Sequence, residues 1–193
     1  MSSAIPKGNR KYSFAEYMAM EETSLEKHDF YHGEIFAMAG STKNHNNIIL
    51  NIGVALRTSK KTGCDIFIGG MKLEIEKEQF YVYPDLIYTC DDGIKGSDLF
   101  VKKPSIIFEV LSDSTALYDK EVKLKYYKRI QSLNYYVLIA QKEIMVEVYS
   151  RINDTQIWQY QTFENMNEII EFEKLGVSLP VAVIYEEIGF DAI

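Results

Sequence analysis

The sequence predicts an α/β domain built on a mixed central sheet, and three observations carry that expectation. Short β-rich runs between turn signals recur along the chain, among them Phe80–Tyr88, Ser105–Leu111 and Tyr135–Ala140. A helical segment from about Thr115 to Ile130 separates the last two. Strand, helix and strand at that length form one crossover, right-handed almost without exception. Upstream, Thr42 opens a second long helical segment whose apolar residues fall on one face.

Each element has a local reason. Ser13-Phe14-Ala15-Glu16 has capping-box spacing, which predicts a helix from about Phe14 to Glu22. Phe30 to Phe36 reads as two short strands about a His32-Gly33 turn. The helix capped by Thr42 runs to about Lys61; Ile48, Ile49, Ile52, Ala55 and Leu56 form its apolar face, and Gly63 ends it. In Met71–Glu76 apolar and charged residues alternate, so one face is wet. A turn at Lys77–Gln79 leads to the strand with Pro84 and Asp85. Proline cannot donate to a ladder, so Pro84 marks an edge, a bulge or a strand end. Such a break re-aims the side chain that follows it. Strands at about Ile144–Ser150 and Gln156–Phe163 and a short helix near Pro180–Ile188 complete the chain. No linker divides it, so residues 1–193 are expected to form one domain.

Composition excludes several classes. At 47% hydrophobic and 25% charged residues the chain folds rather than staying disordered. No apolar stretch approaches the ~18 residues of a membrane span, and no hydrophobic region follows Lys7, Arg10 and Lys11, so neither membrane nor secretory signal is expected. Cys64 and Cys90 are isolated and fit no metal-finger spacing. The expected home is the reducing cytoplasm, and the two cysteines bridge only if the fold brings them together. A net charge of −7 argues against a surface coated in phosphate-binding lysines. It is compatible with a carboxylate-based metal site, whose bound cation offsets the charge. Local basic stretches remain at Arg57, Lys60 and Lys61, and at Lys120, Lys123, Lys125, Lys128 and Arg129.

The residue that carries chemistry is Glu109, in the middle of the apolar run Ser105–Leu111. An ionised carboxylate buried there costs several kcal/mol unless something pairs with it. The partner is a metal ion or a lysine; otherwise the pKa is raised. Asp85 acquires weight from the pair: a separation of 24 positions leaves room for two strands and a loop, so both carboxylates can meet at one end of the sheet. Two carboxylates with phosphate oxygens and waters suffice for Mg²⁺. Asp119, Lys123 and Tyr127 repeat at intervals of four, roughly on one helix face, which would point Lys123 back over the sheet. The bland alternative is a solvated Asp119–Lys123 pair. Glu34 follows a turn glycine and reads equally as an exposed hairpin residue. His45 reads as a cap or surface residue; His28 and His32 suggest no partner.

Together Gly33-Glu34-Ile35, His45, Pro84-Asp85, the block Glu109–Thr115, Asp119, Lys123, Tyr127 and Tyr136-Val137-Leu138 resemble the Uma-two family of restriction endonucleases, within the PD-(D/E)XK nuclease superfamily. The resemblance covers roughly Phe14 to Tyr185. It implies a restriction-endonuclease-like core, a mixed central sheet flanked by helices, that binds Mg²⁺ or Mn²⁺. By position, Asp85 and Glu109 match the two metal-binding acidic residues and Glu34 the N-terminal glutamate. Leu111 stands where the superfamily places its lysine, and Lys123 on the following helix is the migrated lysine.

The leading expectation is a Mg²⁺- or Mn²⁺-dependent endonuclease acting on DNA, with Asp85 and Glu109 on the metal, Glu34 as an outer or additional ligand and Lys123 positioning water. Duplex cleavage would favour a homodimer with one site per strand. The competing expectation is a catalytically silent nuclease fold that binds nucleic acid or a protein partner. A third is a buried Glu109–Lys123 ion pair of purely structural meaning.

Overall fold

A computed structural model describes residues 10–38 and 40–190; Lys7 lies outside them. Helix α1 (Phe14–Thr23) begins with the expected capping box between Ser13 and Glu16. Strands β1 (His28–Tyr31) and β2 (Glu34–Ala37) form the predicted hairpin, with His32 at φ 46° and Gly33 at φ 86°. Positive φ at both turn positions is what a tight hairpin of this twist requires. Helix α2 (Lys43–Ser59) starts at Thr42, whose side chain accepts the His45 N–H.

The expected strand Phe80–Tyr88 is two strands in two different sheets. β5 (Phe80–Val82) lies in a five-stranded sheet of order β2-β1-β5-β4-β7, with β4 at Lys72–Glu76 and β7 at Phe100–Val101. β6 (Leu86–Thr89) belongs to the central six-stranded sheet. That sheet runs β11-β10-β9-β8-β6-β3, where β3 is Asp65–Ile68, β8 Ile106–Leu111, β9 Tyr135–Ala140, β10 Val146–Arg151 and β11 Trp158–Phe163. The chain changes sheets at Tyr83-Pro84-Asp85. Pro84 has no N–H to offer a ladder, and the Tyr83 N–H turns to the Asp29 side chain at 3.0 Å.

The central sheet is mixed as predicted: β8 and β9 are parallel, joined by the crossover, and β8 pairs antiparallel with β6. Its two faces are both covered. Ile106, Phe108 and Val110 pack with Ile48, Ile52 and Leu56 of α2 and with the hairpin β12 (Ile169–Phe172) and β13 (Val177–Pro180), followed by the short helix α4 (Val181–Ile184). On the other face, Ile107, Tyr136 and Leu138 pack against Tyr127 and against Leu73, Phe80 and Val82 of the second sheet.

The wet face expected for Met71–Glu76 does not extend to Lys72, which is buried. Its Nζ lies 5.4 Å from the Tyr17 and Tyr83 ring centres and 3.7 Å from Glu21. Packing by α1 covers this end of the strand. The fold also brings Cys64 and Cys90 together as a disulfide, at the ends of paired strands β3 and β6. Among the described residues no helix is long and apolar enough to cross a membrane.

The crossover helix is not uniform. Residues Tyr118–Lys123 form a π-helical segment that passes into α3 (Leu124–Tyr127). Its far end is held by Arg151, buried at 4% exposure, whose guanidinium donates to the carbonyls of Lys128, Ile130, Leu133 and Thr155. It also stacks over Trp158 at 4.5 Å. Arg→Lys cannot reproduce such a fork. Arg151→Met should therefore cost roughly 2–4 kcal/mol in urea unfolding, because several buried carbonyls lose their donors. A change within about 0.5 kcal/mol would mean that water replaces the guanidinium.

Candidate active site

The register of β6 on β8 builds the site. Leu86 pairs with Phe108 and Ile87 with Ile107, so one further step sets Asp85 opposite Glu109. The Asp85 N–H points at Glu109 Oε2 at 3.4 Å, and Asp85 Oδ2 accepts the Val110 N–H at 2.7 Å. The sheet change at Pro84 leaves Asp85 at a strand end, on the floor of a cleft of about 640 Å³.

Over that floor comes the crossover helix. Lys123 Nζ lies 2.9 Å from Glu109 Oε1 and 2.9 Å from Asp119 Oδ1, and the Tyr127 hydroxyl donates to Glu109 Oε1 at 3.0 Å. The three residues spaced by four do converge on Glu109. A straight α-helix drifts about 40° over four residues. A π turn uses more residues per turn, which keeps Asp119 and Lys123 closer to register. Leu111 packs against the core beside Ile107.

Burial pushes the Glu109 carboxyl well above the usual range; Lys123 pulls it down, and Asp119 and Asp85 push it up further. For Lys123, burial alone would lower the pKa, but Asp119, Glu109 and Asp29 outweigh it and hold the ammonium well above the usual lysine range. Burial and the nearby Glu109 likewise keep the Tyr127 hydroxyl protonated. Five carboxyl groups, those of Glu26, Asp29, Asp85, Glu109 and Asp119, line the cleft together with Lys123 and His45.

Of the residues singled out from sequence, Asp85, Glu109 and Lys123 come together; Glu34 does not join them. The hairpin register pairs Glu34 with Tyr31 at the turn, where its carboxylate meets Lys11 at 2.8 Å and stays 38% exposed. Asp29, paired with Phe36 further down the same hairpin, is the one that lines the cleft. Asp29 lies just before the strand expected from Phe30 and carries no sequence signal, because its burial comes from elements far along the chain. His45 is more than a cap residue: its Nε2 lies 3.3 Å from Asp85 Oδ1. Gln141, at the end of β9, fixes that approach. Its side chain donates to the Leu111 carbonyl at 2.7 Å and accepts from the Thr42 hydroxyl, so the start of α2 is tied to the sheet end.

Comparison with known proteins agrees with this architecture. The Uma2 family, described as "Putative restriction endonuclease", matches residues 14–182. The chain belongs to the Uma2 family. Two relatives in Synechocystis sp., the uncharacterized proteins slr1290 and sll1609, are 32% and 36% identical over 93% and 84% of this chain, and over 94% and 93% of their own lengths. The crystal structure of a "putative nuclease belonging to DUF820" from Anabaena variabilis superposes with a TM-score of 0.73, covering 90% of this chain and 97% of that one at 14% identity. The shared architecture is thus a nuclease-type α/β fold.

Among the described residues of this Uma2 protein, no three His, Cys, Asp or Glu side chains are grouped as a closed metal site. The donor set fits a different kind of ion. Asp85 and Glu109 are adjacent carboxyl groups at the cleft floor, and Asp119 Oδ1, paired with Lys123 at 2.9 Å, has no hydrogen-bond partner among the described residues. That suits a hard divalent cation that keeps several of its waters, as Mg²⁺ does.

Asp29 offers a test of the charge balance. Burial, the largest influence, pushes it up to about 6, against smaller opposing effects of Lys123 and the Tyr83 N–H. The unfolded carboxyl titrates near pH 4. The native state thus holds the proton more tightly, and this stabilisation is complete below about pH 4 and lost as pH rises through about 6. Asp29→Asn keeps a carbonyl for the Tyr83 N–H and removes the titration. Between pH 4 and pH 7 its stability relative to wild type should rise by roughly 2–3 kcal/mol in urea unfolding. An unchanged difference at the two pH values would place the Asp29 carboxyl in a better solvated setting than its burial indicates.

Proposed function

We propose that this protein is a Mg²⁺- or Mn²⁺-dependent endonuclease that hydrolyses phosphodiester bonds of DNA. The observation that carries the reading is the placing of Asp85 and Glu109 opposite one another on the cleft floor, with Lys123 held 2.9 Å from Glu109. Family membership and the nuclease-type fold support it.

Asp85 and Glu109 would hold the ion, which when bound polarises the phosphate and makes water a better nucleophile at neutral pH. The chain supplies the rest. The Val110 N–H and His45 orient Asp85; Lys123 and Tyr127 orient Glu109. Because its pKa is raised, Lys123 serves as a donor and fixed positive charge rather than as a base. In that role it positions the attacking water and stabilises charge developing on the phosphate. A homodimer, one site per strand, is the assembly that would cut a duplex.

Asp85→Asn and Glu109→Gln should each lower plasmid nicking by on the order of 100-fold or more while the proteins melt cooperatively. His45→Ala should weaken Mn²⁺ binding about tenfold in calorimetry, as losing a partner of a ligand usually does. Lys123→Met is a poor probe, since it strands Glu109 and Asp119 without a counter-ion at a cost of roughly 3–5 kcal/mol. Metal binding by wild type with no nicking of any DNA would point to the silent fold instead.

A further inference from the structure

The metal and the phosphate account for the cleft floor but not for its walls. One wall is the hairpin end Phe36–Met38; facing it is Tyr118 at the start of the π segment. The Phe36 and Tyr118 rings stand 6.3 Å apart at 32°. Met38 is 38% exposed. The Tyr118 hydroxyl is buried and has no hydrogen-bond partner among the described residues. An anionic backbone has no use for an apolar, aromatic wall next to its phosphate, and exposed apolar surface at a cleft mouth marks a binding site.

The floor is also deep. Glu109 and Asp119 are 3% and 2% exposed, so the phosphate must descend past these walls to reach them. In an intact duplex the bases stack toward the helix axis, away from the phosphates. A backbone entering alone would leave Phe36, Met38 and Tyr118 uncovered. A strand whose bases are unstacked would cover them, because every base has a flat face that stacks on aromatic side chains. Unstacking is least costly where the base is already unpaired.

Resting on the nuclease reading, we infer that the Phe36–Met38–Tyr118 wall is a nucleobase subsite, and that single-stranded or locally unpaired DNA is preferred over intact duplex. The cleft volume of about 640 Å³ lies in the range of small-ligand sites, which suits one or two nucleotides rather than a duplex turn.

The test uses oligonucleotides of one sequence in three forms: single-stranded, fully paired, and paired with a short unpaired bulge. Each carries 2-aminopurine beside the cleavage position, and the wild-type protein is assayed with Mn²⁺ for binding, fluorescence and cleavage. Single-stranded and bulged DNA should bind and be cut about tenfold or more better than the duplex. Phe36→Ala should lower single-strand affinity about tenfold and abolish the fluorescence change, with Phe36→Tyr restoring both. Met38→Glu, at an exposed position, should have the same effect without threatening the fold. Equal cleavage of duplex and single strand, or affinity indifferent to both wall variants, would overturn the subsite while leaving the nuclease reading intact. Wall-dependent binding of single strands with no cleavage would do the reverse.

Discussion

The buried ammonium of Lys123 is the interaction on which the rest of this structure turns. Glu109 sits mid-strand in an apolar run, where an unpaired carboxylate would be prohibitive. Lys123 makes it tolerable, and Asp119 and Tyr127 complete the surroundings. The arrangement requires a helix that crosses the sheet at the right height and presents residues four apart along one line. The parallel β8–β9 crossover supplies the height, the π segment supplies the alignment, and Arg151 pins the far end. One lysine does not balance the carboxylates around it. Five carboxyl groups line the cleft beside that one lysine, so the cluster is larger than a single ion pair. With a simple pair, apolar replacement of both partners is often neutral or better; here such a replacement would still leave Asp85 and Asp29 lining the cleft.

Much of this was legible in the sequence because the signals were local. The Ser13–Glu16 box, the Thr42 cap, the His32-Gly33 turn and the run Tyr135–Ala140 each specify their element within a few residues, and each forms as expected. The site residues Asp85, Glu109 and Lys123 were legible because each broke a local rule: an acid after a strand proline, an acid inside an apolar run, a lysine in step with Asp119 and Tyr127. What escaped was non-local. Nothing in Phe80–Tyr88 tells that its halves pair with different sheets, since that depends on which partners reach each side of Pro84. The two-residue β7 exists only through its pairing with β4. The alternation in Ile169–Phe172 signals a strand, but it is short and stands among polar residues. Asp29 and His45 look like surface residues until Tyr83 and Asp85, some 40 to 54 positions further along the chain, come up against them.

The change of sheets at Tyr83–Asp85 explains why the cleft lies where it does. Two sheets that share one continuous chain must diverge at the crossing, and the divergence opens a space at the end of β6 and β8. The central sheet provides the floor with Asp85 and Glu109, fixed by ladder hydrogen bonds and by packing on both faces. The second sheet provides one wall through the β1–β2 hairpin, and the crossover helix provides the other. Asp29 ties the two layers together, since it belongs to the wall hairpin yet accepts the N–H of Tyr83 at the crossing itself.

This division assigns different physical tasks to different layers. Floor residues must hold charge in place against a large desolvation cost, which demands rigid strands and fully engaged hydrogen bonds. Wall residues need surface and shape, and a hairpin end can vary in both without disturbing the ladder beneath it. Met38 lies just past the end of β2, and Phe36 is in its ladder opposite Asp29; Glu109 lies in the middle of a strand covered on both sides. A substitution in the wall therefore changes what enters the cleft, whereas a substitution in the floor changes what can happen there or whether the chain folds. The acidic balance of the whole molecule follows the same logic. With 28 acidic against 21 basic residues, the chain gathers five carboxyl groups in this one cleft, on elements that packing holds in place.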